Sequence, residues 1–309
     1  MKIDFITYNF RVCGLAREVV EIANNLVFLG NDVTVWTAPG DKCTWLPQHF
    51  KSEPYPERTT KTDVLILMDS PTDEHMRFFL ESSAAFKTYV ITGLNPNTFP
   101  LLSTPAREKN LIYLLNNHEV CADGGWQTEH IRSLGYRAGV AVGGINTKMF
   151  NNEKKRRDNK VLFSGDKRWA KGYPVIEKLI NYVQHNGYSY LKYQGVTNQV
   201  GLKSILNRSE VYVDNHTWAG WCNPVLEAMA CGCAVICSEI GATSDFAIDG
   251  ETALVLKPND YDGFVNAIEL LVKKTDLAQT LSKNATNIAK KWDYRIVVKN
   301  FQTYLKERI

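Results

Sequence analysis

The sequence predicts an α/β protein built from two doubly wound, Rossmann-like halves. Three observations carry that prediction. Short, β-branched apolar runs alternate with amphipathic runs of helical period along the whole chain, which is the pattern of parallel sheets covered by helices. The 309 residues are more than one core usually needs and suit two domains. The chain is most densely charged at 150–160, where one half gives way to the other.

The elements follow in order. In the first half, strands are predicted at 2–7, 32–37, 63–68, 88–91, 119–122 and 139–142. A helix at 15–29 carries Val19, Val20, Ile22, Ala23, Leu26 and Val27 at helical spacing, with Gly30 as its stop. A second helix at 126–134 ends at Gly135. In the second half, strands are predicted at 160–163, 188–194, 211–213, 234–237 and 253–256. Helices alternate with them at 173–185, 202–207, 224–231, 262–273 and 276–291, and a last one covers about 292–309. Ligands of such sheets sit at the carboxyl ends of strands, so the loops after strands are where chemistry is sought.

Composition narrows the class. The chain is 44% hydrophobic and 22% charged, ordinary for a soluble protein. No apolar run approaches the ~18 residues that span a bilayer. The N-terminal run holds Asp4 and reads as a first strand rather than a signal peptide. Seven cysteines lack metal spacing; Cys231, Cys233 and Cys237 fall on a helix end and a strand, which suits reduced core thiols and a cytoplasmic location. Residues 1–150 carry 14 Lys/Arg against 16 Asp/Glu, and the remainder 22 against 17. The second half therefore suits an anionic ligand. Neither half is basic enough for nucleic acid, and the acidic first half gives no support to a peripheral membrane contact.

Two loops of the second half point to that anion. After the strand at 211–213 comes Asp214-Asn215-His216-Thr217, then Gly220-Trp221-Cys222-Asn223-Pro224, which opens a helix. Asn223 is read as the N-cap and Pro224 as the first helical residue. Helix N-termini attract phosphate. Glu227 lies one turn further on. A carboxylate there accepts two hydrogen bonds from a vicinal diol such as a ribose; the alternative is that it only complements the helix dipole. The other loop, Ser164-Gly165-Asp166-Lys167-Arg168-Trp169-Ala170-Lys171-Gly172, follows the strand at 160–163 with three cations. It is not a Walker A loop, and the chain has no G-x-G-x-x-G, which removes the usual nicotinamide reading.

These residues resemble the retaining glycosyltransferases of family 4, whose fold is GT-B. The family pattern E-G-F-G-x-P-x-L-E-A-M-A-x-G-x-P-V is similar to the run from Ala219 to Val235. The family's D-G-x-x-G-x-L-V-x-P is similar to the run from Asp249 to Pro258, and its P-N-G-V-D-x-x-x-F to the run from Gly143 to Phe150. The basic loop ending Lys171-Gly172 matches G-R-x-x-x-x-K-G with one change. The resemblance is strong after residue 140; before it, the glycine-bearing loop 9–14 matches loosely.

The resemblance implies two Rossmann-like domains facing across a cleft: 1–152 on the acceptor side and 153–309 binding the nucleotide-sugar, with the last helix crossing back. It implies that Glu227 holds the ribose and that Lys171, with Arg168 and Lys167, neutralises the diphosphate. Backbone amides of Gly220, Trp221, Cys222, Asn223 and Val225 would bind its oxygens, with Gly165 shaping the basic loop. Gly195 and Val196 would lie beside the base, His216 near the sugar, and Gly14 where the first-half backbone approaches donor or acceptor. The donor is a co-substrate; no other cofactor and no metal is expected.

The departures are specific. Ala219 replaces the family's first glutamate, Asp166 stands for a phosphate-binding arginine, and the family's first-domain histidine has no counterpart in 90–95. Ala219, with Trp218 and Trp221 as apolar wall, points to a less hydroxylated donor sugar, such as a 6-deoxy sugar. The expected acceptor is a carbohydrate or lipid-linked carbohydrate. A degenerate relative that binds nucleotide or glycan without turnover is the alternative, and a sugar-nucleotide epimerase ranks below both.

Overall fold

The computed structural model describes residues 1–7, 9–55, 61–68, 71–93, 104–154, 157–164, 167, 171–193 and 198–309. The chain divides into two compact units, one of residues 1–144 with 294–309 and one of residues 145–293. The boundary falls at Gly144/Ile145 rather than at 152/153. Ile145 bridges to Asp293, and both Ile145 and Phe150 are buried in the core of the second unit.

The first unit has a seven-stranded sheet, all of its pairs parallel, in the order β3-β2-β1-β4-β5-β6-β7. These are β1 Lys2–Ile6, β2 Asp32–Thr37, β3 Lys51–Pro54, β4 Lys61–Leu67, β5 Ser83–Ile91, β6 Val120–Ala122 and β7 Ala138–Ala141. Its helices are α1 Gly14–Phe28, α2 Asp73–Glu81, α3 Pro105–Asn117, α4 Gly125–Ser133 and the C-terminal α11 Tyr294–Lys306. Strand alternation sorts them. Ile3 and Phe5 of β1 with Val64 and Ile66 of β4 pack on α1 and α11, while Ile6, Leu65 and Leu67 pack on α2, α3 and α4.

The second unit has a five-stranded parallel sheet in the order β12-β11-β10-β8-β9. Its strands are β8 Asn159–Ser164, β9 Tyr190–Tyr193, β10 Ser209–Asp214, β11 Ala234–Ser238 and β12 Leu254–Leu256. Helices α5 Tyr173–His185 and α9 Tyr261–Lys273 pack on Val161, Phe163, Val211 and Val213. Helices α6 Gln199–Asn207, α7 Asn223–Ala230 and α10 Thr275–Lys291 pack on Leu162, Tyr212 and Val235 from the other face. A short α8, Gly241–Ser244, follows β11. From β8 the chain winds outward to β9, then returns to β10 and winds the other way. The β8/β10 crevice is therefore the topological switch point of this sheet, where ligands of open α/β sheets bind. Among the described residues no helix is long and apolar enough to cross a membrane.

Candidate functional site

The switch point is built from the ends of β8, β9, β10 and β11. Period two along β10 and its extension puts Tyr212, Asp214 and His216 on one face and Asn215 on the other. Asp214 and His216 are 1% and 2% exposed. His216 Nδ1 meets Asp214 Oδ1, which also accepts the His216 backbone N–H at 3.1 Å. Tyr212 donates its hydroxyl to Asp214 Oδ2 at 3.1 Å. The far side of the imidazole, Nε2, meets the ammonium of Lys171. Burial pushes the Asp214 carboxyl up, but His216 and Lys171 outweigh it and hold the group below its ordinary value.

The backbone beside Lys171 is fixed as firmly. Gly172 has φ of +61°, and a Cβ there would lie 2.0 Å from the Asn215 carbonyl oxygen. Only glycine fits such a left-handed, close approach. Asn215 Nδ2 donates to the Gly172 carbonyl at 3.1 Å. Asn215 Oδ1 accepts from Asn259 N–H at 2.9 Å and from Ser238 Oγ at 3.3 Å. One asparagine thus ties the loops after β10, β11 and β12 to the Lys171-Gly172 segment that opens α5.

Glu227 is 2% exposed, in α7. Its carboxylate acts on the hydroxyl of Tyr193, at the end of β9. Burial first, with Glu227 and Asp214 adding, pushes that phenol up. Tyr193 in turn pairs with Tyr212 at 3.2 Å. A continuous set of polar groups, Tyr193–Tyr212–Asp214–His216–Lys171, therefore runs from the neighbourhood of Glu227 to the basic loop.

The structure thus brings Lys171, His216 and Glu227 into one region. Lys167 is exposed, 5.9 Å from the Tyr173 ring centroid. Gly220, Trp221 and Cys222 are buried, with Asn223 and Val225 following in the first turn of α7. Gly14 is the first residue of α1, in the other unit. Gly165, Asp166, Arg168, Gly195 and Val196 lie outside the described residues. Two expectations are corrected. Cys222, not Asn223, is the N-cap of α7, and Asn223 is its first helical residue. Trp221 is not a ligand wall: its ring packs at 5.1 Å on Phe246 and 5.0 Å on Trp292. Sequence reasoning missed Asp214, Tyr212, Tyr193 and Asn215; the Asp-x-His pair at a strand's end was the available signal.

Asp214, His216 and Cys222 bring three potential metal donors within 4.8 Å of one another. They do not fit a metal. Asp214 and His216 Nδ1 are bonded to each other, and Nε2 faces an ammonium.

With this geometry in place, comparison with known proteins adds three findings. Residues 177–288 match the family described as glycosyl transferases group 1. Two uncharacterized glycosyltransferases of Methanocaldococcus jannaschii are similar, at 24% identity over 43% of this chain and 26% over 32%. These matches span only 38% and 26% of the relatives' own lengths. Sucrose-phosphate synthase of Thermosynechococcus elongatus superposes with a TM-score of 0.79 at 15% identity, covering 99% of this chain and 98% of that one. Anabaena HepE in complex with UDP gives 0.75 at 14%, covering 99% and 100%. A glycosyltransferase from Rickettsia africae gives 0.74 at 13%, covering 99% and 98%. The fold is GT-B, and the group 1 segment supports a glycosyltransferase.

Proposed function

We propose that this protein is a retaining, metal-independent glycosyltransferase that moves a sugar from a nucleoside-diphosphate sugar to a hydroxyl of a glycan or lipid-linked glycan. The observation that carries the reading is Lys171, held by His216 and flanked by the Gly172–Asn215 clasp at the switch point of the second sheet. The group 1 match, which includes His216 and Glu227, supports it. HepE, of the same fold, binds UDP, which makes UDP the first diphosphate to try.

In this reading Lys171 and the first-turn amides of α7 stabilise the leaving diphosphate, where negative charge grows as the bond to the sugar breaks. Glu227 accepts hydrogen bonds from the ribose. The acceptor oxygen attacks the anomeric carbon from the face the phosphate leaves, and the departing phosphate oxygen takes its proton. No side-chain nucleophile and no metal enters. Ala219, where the family has a glutamate, favours a donor sugar with fewer hydroxyls; equal turnover of glucose and 6-deoxy donors counts against that detail.

The test is calorimetric titration with UDP, GDP, ADP and dTDP of the wild type, Glu227→Ala and Lys171→Ala. Binding of one diphosphate, weakened in both variants, supports the donor site. A folded protein that binds none favours the non-catalytic reading, with Ala219 and Asp166 as its cause.

A further inference from the structure

We propose that Asp214 and His216 are positioning residues that hold the Lys171 ammonium ready for the donor's diphosphate; the proposal rests on the donor-site reading above. The proton inventory follows from the partners. Lys171 has only protons to give, so His216 Nε2 accepts, and Nδ1 carries the imidazole proton and gives it to Asp214. Asp214 accepts from three donors: His216 Nδ1–H, His216 N–H and the Tyr212 hydroxyl. The carboxylate is fully engaged, so the imidazole is fixed in both tautomer and direction. A carboxylate behind an imidazole also makes its other nitrogen a stronger acceptor.

Fixing a lysine matters because its side chain is flexible. A free ammonium on four methylenes gives up rotamer entropy when it docks on a ligand. Here the backbone is clamped by Asn215 and the tip is held by His216, so much of that ordering precedes the ligand. The set Asp214–His216–Lys171 is close to neutral overall, which makes its burial tolerable. A diphosphate then displaces one hydrogen bond and meets a cation already aimed.

The test uses the full chain with His216→Asn, His216→Gln and Asp214→Asn. Glutamine places its carbonyl oxygen near the position of Nε2 and can still accept from Lys171; asparagine is too short. The first readout is the rate at which limiting acetic anhydride labels Lys171, by peptide mass spectrometry against Lys306 as internal reference. Labelling should rise several-fold in His216→Asn and stay within about twofold of wild type in His216→Gln. The second readout is the Kd for whichever of UDP, GDP, ADP or dTDP the wild type binds. It should weaken roughly tenfold in His216→Asn and Asp214→Asn and recover in His216→Gln. Unchanged labelling and Kd in His216→Asn overturn the proposal. Equal losses in His216→Asn and His216→Gln also overturn it, since they mark a merely structural histidine. If the wild type binds no diphosphate, the donor reading fails, while the labelling still decides whether His216 holds Lys171.

Discussion

Glu18, on α1, and Asp123, at the carboxyl end of β6, share a hydrogen bond between carboxyl groups that are 3% and 2% exposed. Burial pushes Glu18 up to about 7, against the lowering effects of Asp123 and Arg17. Burial, with the Glu18 charge and hydrogen bond adding, raises Asp123 well above its ordinary value. Both shifts run the same way, so the folded pair holds its protons more tightly than the unfolded chain does. The folded state binds more protons than the unfolded chain between pH 4.5 and about 7. Stability from this group is thus fully present below pH 4.5 and lost as pH rises toward 7, by up to about 3 kcal/mol. Denaturant melts across that range should show the fall, and Glu18→Gln should make it shallower, with burial still raising Asp123; parallel profiles for the two proteins would refute the assignment.

The Gly172 clasp predicts an expensive methyl group. Gly172→Ala adds a Cβ to a left-handed residue pressed on the Asn215 carbonyl. The variant should lose about 1–3 kcal/mol in urea melts and bind diphosphate more weakly, because the strain is released by moving Lys171. An alanine variant as stable as wild type would mean that this loop is not clamped.

Lys171 and Glu227 should divide the nucleotide between them. Lys171→Ala should cut kcat by roughly a hundredfold or more, the usual loss for a group that stabilises a leaving anion. Glu227→Ala should weaken nucleoside diphosphate by about tenfold yet leave inorganic pyrophosphate unaffected, if it meets only the ribose as proposed. Equal losses for both ligands would place Glu227 elsewhere.

Chelation separates the two uses of Asp214 and His216. With both committed to hydrogen bonds, excess EDTA should leave turnover and diphosphate affinity unchanged. Activity abolished by EDTA and restored by one divalent cation would return these residues to a metal.

Much of the fold was legible in the sequence for local reasons. β2 and α5 fall on the predicted residues because both have sharp borders: Gly30 and Asn31 before one, Gly172 before and Gly187 after the other. β3 left no signal. Its sequence Lys-Ser-Glu-Pro is polar and mostly exposed, and it is a strand only because β2 offers an open edge. α2 and α3 carry the capping threonines Thr72 and Thr104 but have charged or interrupted apolar faces. In the candidate site, motif spacing singled out Lys171, His216 and Glu227, which the structure gathers in one region. It passed over Asp214, although the Asp-x-His pair follows the predicted strand directly, because the carboxylate's role depends on His216 and Tyr212 turning to the same face. Nor could it see Trp221 turn inward, which depends on Phe246 and Trp292 far along the chain.

The discontinuity of the first unit sets an order of events during synthesis. Residues 145–293 are contiguous and can close their core as soon as they leave the ribosome. Residues 1–144 emerge earlier yet must wait, because Tyr294, Val298, Phe301 and Leu305 of α11 complete the face that Ile3, Val19 and Ile22 present. The half of the protein made first is therefore finished last, and a chain stalled before residue 294 would leave that apolar face open to chaperones and proteases.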